Sequence, residues 1–335
     1  MRQGKTRGFL PVLAALAGNT AIAVLKWVGF FMTGSGAMFS EAVHSVADIL
    51  NQIFLMVGIR RSQKPSDGDY PYGYAGERFF WAVLSACSIF FLGSGVTVYH
   101  GIAVLSEGGA VHANPFAILV LVVSLVVESG TFLVALRELR RHGKGKPLSE
   151  ILEEGDPTTI AVLYEDGLAV VGVLVALGSI LLSYFTGQSF WDAVGSIVIG
   201  ALLGIMAVML IAKNRSFLIR RSVPEDIAER VQEIIKSDSA IERVLDFKSV
   251  VIDVGMYHVK CEVEVNGSAL MRDMYRGKAL RNAFGDIGTE YDDFLRFCVD
   301  FADRIPRMIG TRVDEVERKI KEEIPEVRHI DIEVN

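Results

Sequence analysis

The sequence predicts a bundle of six membrane-spanning α-helices followed by a water-soluble α+β domain. Of its 335 residues, 51% are apolar, and they cluster in long runs before residue 214. The charged residues are sparse in this first part and dense in the remainder of the chain. We therefore expect two domains, with residues 1–214 in the membrane and residues 215–335 outside it.

Six segments of the first part have the length and composition of a helix that crosses the hydrocarbon core, which requires about 20 residues. The predicted spans are residues 10–33, 36–60, 80–105, 114–137, 158–184 and 190–213. The N-terminus, the loops after spans two and four, and the segment after span six hold nearly all the basic residues of this part. Because basic residues favour the cytoplasmic side, both termini are expected in the cytoplasm.

The second part alternates between helical and strand-like patterns. They predict a helix at residues 224–237 and two strands at 248–253 and 257–265. A charged helical insertion at about 268–305, a second helix at 311–323 and a final strand at 327–334 follow. This α-β-β-α-β order suggests a ferredoxin-like α+β domain.

Charge and cysteine content exclude several function classes. A net charge of −6 without a basic stripe argues against nucleic-acid binding. Cys87, Cys261 and Cys298 are too few and too scattered for a disulfide framework or a Cys-x-x-Cys metal site. No phosphate-binding loop and no nucleophile–base pair stands out, so we do not expect an enzyme.

Ionisable side chains within a span are costly and therefore mark candidate functional residues. His44 and Asp48 in the second span are four residues apart and share a helical face. Glu165 and Asp166 in the fifth span fall at about the same depth, because a helix rises 1.5 Å per residue. One imidazole and several carboxylates predict a divalent-cation site, and such nitrogen and oxygen ligands favour zinc.

Two questions about this site stay open at this point. The four side chains could instead form a hydrogen-bonded network that braces the helices. Glu165 and Asp166 are adjacent and point about 100° apart, so only one of them is expected to face His44 squarely.

Other charged residues within the spans have weaker interpretations. Lys26 either neutralises a carboxylate near the site or extends to the bilayer surface. Glu128 is either a proton relay or a paired structural acid, and Glu41 is a third candidate for such a charge relay. Asp192 begins the sixth span and is expected to cap that helix.

Several motifs resemble those of the cation diffusion facilitator family. They are His44-x-x-x-Asp48, Tyr70-Pro-Tyr-Gly-Tyr-Ala-Gly-Glu-Arg78 and Trp191-Asp-Ala-Val-Gly-Ser-Ile197. The long insertion after Gly267 and the segments 309–317 and 325–333 are similar to the mitochondrial zinc-exporter branch of that family. No targeting presequence is recognised, so we expect a relative in a bacterial inner membrane.

The resemblance implies a homodimer that exports zinc in exchange for protons. The ligand pair of the family's second span falls on His44 and Asp48, and its fifth-span acid falls on Asp166. The family's other fifth-span ligand falls on Val162, so either Glu165 replaces it or the site is three-coordinate plus water.

The resemblance also implies a cytoplasmic metal site on the final strand. His329 and Asp331 share a face of that strand, and Glu262 from a neighbouring strand is a candidate third ligand. A solvated strand face is the alternative. Zinc is thus expected as the transported substrate and as a candidate ligand of the cytoplasmic domain.

Two other functions remain compatible with these residues. A manganese, iron or cobalt exporter would share every feature above. A membrane-anchored metal sensor would bind the ion through Glu262, His329 and Asp331 without transporting it.

Overall fold

The computed structural model describes residues 9–107, 115–142, 147, 151, 157–253, 255–274, 279–287 and 290–335. The chain divides into two compact units, one that ends at Ile219 and one that begins at Arg220.

The first unit consists of helices. They are α1 (Phe9–Thr33), α2 (Gly36–Ser62), α3 (Glu77–Ser88), a π-helical segment (Ile89–Gly95), α4 (Val96–Glu107), α5 (Pro115–His142), α6 (Pro157–Thr186) and α7 (Phe190–Leu218). The π-helical segment joins α3 and α4 into one rod. The last helix continues past the predicted domain boundary at residue 214.

Five helical stretches within the described residues are long and apolar enough to cross a membrane. They are Gly36–Ser62, Glu77–Ser106, Pro115–Arg141, Leu163–Thr186 and Phe190–Leu218. These stretches coincide with predicted spans two to six. The first predicted span is helical as α1, and its crossing of the membrane stays a prediction.

The core of the first unit lies between α2, α6 and α7. It is built from side chains such as Met38 of α2, Val173 of α6 and Leu203 of α7, all almost fully buried. Close helix contact depends on small residues, as is common between membrane helices. At Gly195 of α7, an added Cβ would overlap the Ser179 side chain of α6.

Asp192 of α7 holds the beginning of α2 rather than that of its own helix. Its carboxylate accepts hydrogen bonds from the Ser35 hydroxyl at 2.5 Å and from the backbone N–H groups of Gly36 at 2.5 Å and Ala37 at 3.3 Å. Ser35 in turn accepts from the Met38 N–H at 3.1 Å. The expected capping of the sixth span by Asp192 is therefore wrong, because the first N–H groups of α2 use this carboxylate.

The second unit is a three-stranded sheet with helices. Its elements are α8 (Glu225–Lys236), β1 (Ile241–Asp253), β2 (Met256–Val265), α9 (Gly267–Met274), α10 (Ala279–Asp286), α11 (Tyr291–Glu323) and β3 (Val327–Val334). The strand order is β1-β2-β3, with β1 antiparallel and β3 parallel to β2. The ferredoxin-like assignment stays a prediction.

The core of this unit lies on one face of the sheet. Ile235 of α8 and Ile320 of α11 are fully buried there, and Val259, Cys261 and Val263 of β2 pack into the same cluster. Alternation along β2 leaves its other face polar, because successive side chains point to opposite faces.

The sequence predicted a helical insertion at about 268–305 and a separate helix at 311–323, but the structure joins the end of the insertion to that helix. One helix, α11, continues through Pro306, where the sequence suggested a break between residues 305 and 311. Proline removes one hydrogen bond from a helix interior but does not always end the helix. Val316 and Ile320 fix the second half of α11 onto the domain core.

Candidate metal centre

A polar stripe follows one face of α2 through the apolar bundle. Glu41, His44, Asp48 and Asn51 are spaced by three or four residues, which places them along one side of the helix. Glu41, His44 and Asn51 are almost completely buried. A buried polar stripe in an otherwise apolar helix indicates a functional surface.

His44 and Asp48 have unused polar atoms. The His44 Nδ1 and Asp48 Oδ1 atoms are 3.6 Å apart, which exceeds the range of a good hydrogen bond. Both ring nitrogens of His44 and the Oδ1 atom of Asp48 are buried without a hydrogen-bond partner. Because buried polar atoms are normally paired, these atoms are candidate ligands for a cation.

Helix α6 supplies Glu165 opposite this stripe. The Asn51 side-chain amide donates a hydrogen bond to Glu165 Oε2, and the Ser85 hydroxyl donates to Asn51 Oδ1 at 2.7 Å. Asp48 and Glu165 line the same cavity. The antiparallel helices α2 and α6 thus bring their acidic residues to one level.

A cavity of about 360 Å³ lies beside these residues. Three of the four predicted ligands, Asp48, Glu165 and Asp166, line it, and Glu128 of α5 lines it as well. His44 does not line the cavity and lies one turn of α2 away. A water molecule occupies roughly 30 Å³ in the liquid, so an ion with several waters would fit.

The predicted ligands do not form a closed cluster. Across the residues that the structure describes, no three His, Cys, Asp or Glu side chains are close enough to hold a metal ion together. His44 and Asp48 form one close pair, and Asp48, Glu165 and Asp166 line one cavity. Simultaneous ligation by all four would need side-chain movement.

The three relay candidates form an ion-paired triad. The Lys26 Nζ atom is 2.8 Å from Glu41 Oε2 and 2.8 Å from Glu128 Oε1. Lys26 and Glu41 are fully buried, and the Glu128 side chain is 15% exposed. The ammonium group therefore does not reach the bilayer surface but joins α1, α2 and α5 inside the bundle.

The candidate cytoplasmic site has a different neighbour from the one expected. The His258 Nε2 atom is 2.9 Å from Asp331 Oδ2, and the rings of His258 and His329 are 6.1 Å apart. The strand register pairs His258 with His329 and pairs Glu262 with Glu333, two residues beyond Asp331. His258 is thus the nearer third group, and the role of these residues in metal binding stays a prediction.

Sequence reasoning missed Asn51 and Ser85, which position Glu165. Asn51 carries no charge, so a search for ionisable residues within spans does not select it. Its position three residues after Asp48, on the same helical face, was the available signal.

Comparison with known proteins identifies the family. Residues 12–219 match the family model described as the cation efflux transmembrane domain. The chain belongs to the cation diffusion facilitator family. The family is an integral membrane family, in agreement with the five apolar helices.

The relatives lie in the zinc-exporter branch that the motifs suggested. The chain is 34% identical over 328 residues to the mitochondrial proton-coupled zinc antiporter SLC30A9 of Xenopus laevis, which covers 96% of the chain and 59% of that relative. It is 32% identical over 332 residues to metal tolerance protein C4 of Arabidopsis thaliana, which covers 97% of the chain and 73% of that relative. The chain thus spans less than two thirds of the length of the frog relative.

Proposed function

We propose that this protein exports divalent metal cations, zinc before others, in exchange for protons. The observation that carries the proposal is the set of buried, unpartnered ligand atoms of His44 and Asp48, next to a cavity lined by Glu165 and Asp166. The relatives are named as a zinc antiporter and a metal tolerance protein, which supports the same substrate class.

Proton exchange follows from the chemistry of the ligands. Imidazole and carboxylate groups bind a metal ion only after they lose their protons, so metal entry releases protons and proton return favours metal release. Glu41, Lys26 and Glu128 are further candidates for carrying charge between the site and the bundle surface. The imidazole of His44 favours zinc over magnesium, calcium and manganese.

The two halves of the bundle differ in a way that suits alternating access. The cavity lies in the half where α2 ends and the basic loops begin. In the other half, Asp192 fixes the start of α2, and the Ser40 and Ser196 hydroxyls hydrogen-bond at 2.7 Å across the α2–α7 contact. If the basic loops are cytoplasmic, this arrangement receives metal from the cytoplasm.

The remaining expectations belong to the same proposal. Both termini lie in the cytoplasm, the membrane is a bacterial inner membrane, and two copies form a homodimer. A manganese, iron or cobalt exporter would differ only in cation preference, which competition between metals in a transport assay distinguishes.

The test is zinc-driven proton flux in vesicles that contain the purified chain. We expect Asp48→Asn to lower the initial flux at least about tenfold, because loss of even a supporting group at a metal site costs roughly 10–100-fold. Asp69→Asn, in the exposed loop after α2, is the matched control and should keep the flux. Full flux in Asp48→Asn would exclude this site. Zinc binding by the unchanged chain without any flux would favour a membrane-anchored metal sensor.

A further inference from the structure

Glu128 divides its two carboxylate oxygens between two environments. Its Oε1 atom is 2.8 Å from the Lys26 ammonium group, while its Oε2 atom is buried and has no hydrogen-bond partner. Glu41 also leaves one buried oxygen, Oε1, without a hydrogen-bond partner, so an unpaired oxygen alone does not identify a ligand. The second oxygen of Glu128 therefore requires an explanation from its surroundings.

The position of Glu128 supplies one. Glu128 lines the same cavity as Asp48, Glu165 and Asp166. Glu41, which makes an equally short ion pair with Lys26, does not line the cavity.

The unpartnered ring nitrogens of His44, beside Asp48, are a second observation that points to a cation. The His44 side chain is 2% exposed, both of its ring nitrogens lack partners, and its Nδ1 atom is 3.6 Å from Asp48. A neutral imidazole in this position provides a nitrogen ligand next to the carboxylates.

We propose that Glu128 is a ligand of the transported cation, contributed by α5, and that Lys26 is the residue that positions it. The Lys26 ammonium holds one oxygen of Glu128 and leaves the other for the cation. Glu128 would complete a set of ligands from α2, α5 and α6. This inference rests on the proposed function.

The packing around the triad explains how Lys26 can hold Glu128 in one place. Lys26 is also bound to Glu41, and Glu41 is confined by α6, where a Cβ added to Gly172 would lie 2.6 Å from Glu41 Oε1. With Glu41 fixed on one side, the ammonium group has little freedom to move. Its second partner, Glu128, is fixed in turn.

The experiment measures the affinity of the purified full-length chain for Zn²⁺ by competition with a fluorescent chelator. Glu128→Gln keeps an oxygen for Lys26 but removes the negative charge offered to the cation. We expect its dissociation constant to rise at least about tenfold, as for loss of a group at a metal site. Asp69→Asn, which changes a carboxylate in the exposed loop after α2, is the control and should change the constant less than about threefold.

Two further variants separate positioning from bracing. Lys26→Arg should retain zinc affinity, whereas Lys26→Met should weaken it at least about tenfold in protein whose thermal unfolding is still cooperative. If Lys26→Met does not fold, the comparison of Glu128→Gln with Asp69→Asn decides alone.

The outcomes distinguish this inference from the proposed function. Equal affinities of Glu128→Gln and the unchanged chain, or equal losses in Glu128→Gln and Asp69→Asn, would overturn the role of Glu128. Unchanged zinc affinity in Asp48→Asn would instead remove the transport site itself. Loss of affinity in Asp48→Asn and Glu128→Gln, but not in Asp69→Asn, is the result that we expect.

Discussion

The Asn51 side chain donates a hydrogen bond to Glu165 across the contact between α2 and α6. The other end of the same amide accepts a hydrogen bond from Ser85 of α3. An uncharged residue therefore fixes the position of an acid in the candidate metal site, and it does so from the helix that also carries His44 and Asp48. This relationship joins three helices at the level of the site.

Replacement of Asn51 by alanine should destabilise the protein and weaken zinc binding. Glu165 Oε2 and the Ser85 hydroxyl would both lose a buried partner, and each such loss costs about 1–3 kcal/mol. Thermal unfolding in detergent and zinc titration would measure the two effects. Ser88→Ala, which removes an exposed hydroxyl that donates to the Leu84 carbonyl, is the control. Wild-type stability and affinity in Asn51→Ala would contradict the positioning role.

Gly195→Ala should strongly destabilise the bundle. The added methyl group would overlap Ser179, so α7 would have to move away from α6. Overpacking of this kind costs about 1–3 kcal/mol. Gly178→Ala, on α6 with open space around the new methyl group, should have no such effect. The measurement is the unfolding temperature of each variant. Equal temperatures would show that α6 and α7 do not approach each other this closely at Gly195.

Asp192→Ala should loosen the beginning of α2. The variant removes an acceptor from the Ser35 hydroxyl and from two backbone N–H groups, and loss of a helix cap costs about 0.5–2 kcal/mol. Hydrogen exchange of the first turn of α2 should rise relative to that of the turns around Asn51. Thr186→Ala, which alters an exposed hydroxyl at the end of α6, provides the comparison. Unchanged protection of the α2 start would mean that Asp192 is not its cap.

The sequence predicts the helices well because hydrophobic length is a property of one segment at a time. Spans two to six coincide with observed helices, and the alternation of residues 257–265 and 327–334 locates β2 and β3. The polar stripe on α2 also follows from spacing alone, since Glu41, His44 and Asp48 share a helical face.

Features that depend on contacts between distant segments were not predictable in the same way. Asp192 caps α2 because α7 lies against it, which no pattern around residue 192 reveals. His258 reaches Asp331 because the register of β2 against β3 pairs His258 with His329, two residues before Asp331 on the same face. The two carboxylates that pair with Lys26 likewise come from α2 and α5, which are far apart in sequence.

Cys261 should resist alkylation while the second unit is folded. The side chain is almost fully buried in the core of β2, and burial raises the pKa of the Cys261 thiol to about 11. At pH 8 only about 0.1% of such a thiol is ionised, and the thiolate is the reactive form. Cys298 on α11 is half-buried and should react with a maleimide first, as mass spectrometry of the labelled peptides would show. Equal labelling of Cys261 and Cys298 before denaturation would contradict the position of β2.

X-ray absorption at the zinc edge, on the purified chain loaded with one equivalent of zinc, tests the central claim most directly. The account predicts first-sphere nitrogen and oxygen neighbours at about 2.0–2.2 Å, with an imidazole contribution from His44 and without sulfur. Both the bound zinc and this spectrum should be lost in Asp48→Asn and kept in Asp69→Asn. A spectrum that is unchanged in Asp48→Asn, or one that shows sulfur neighbours, would place the metal elsewhere.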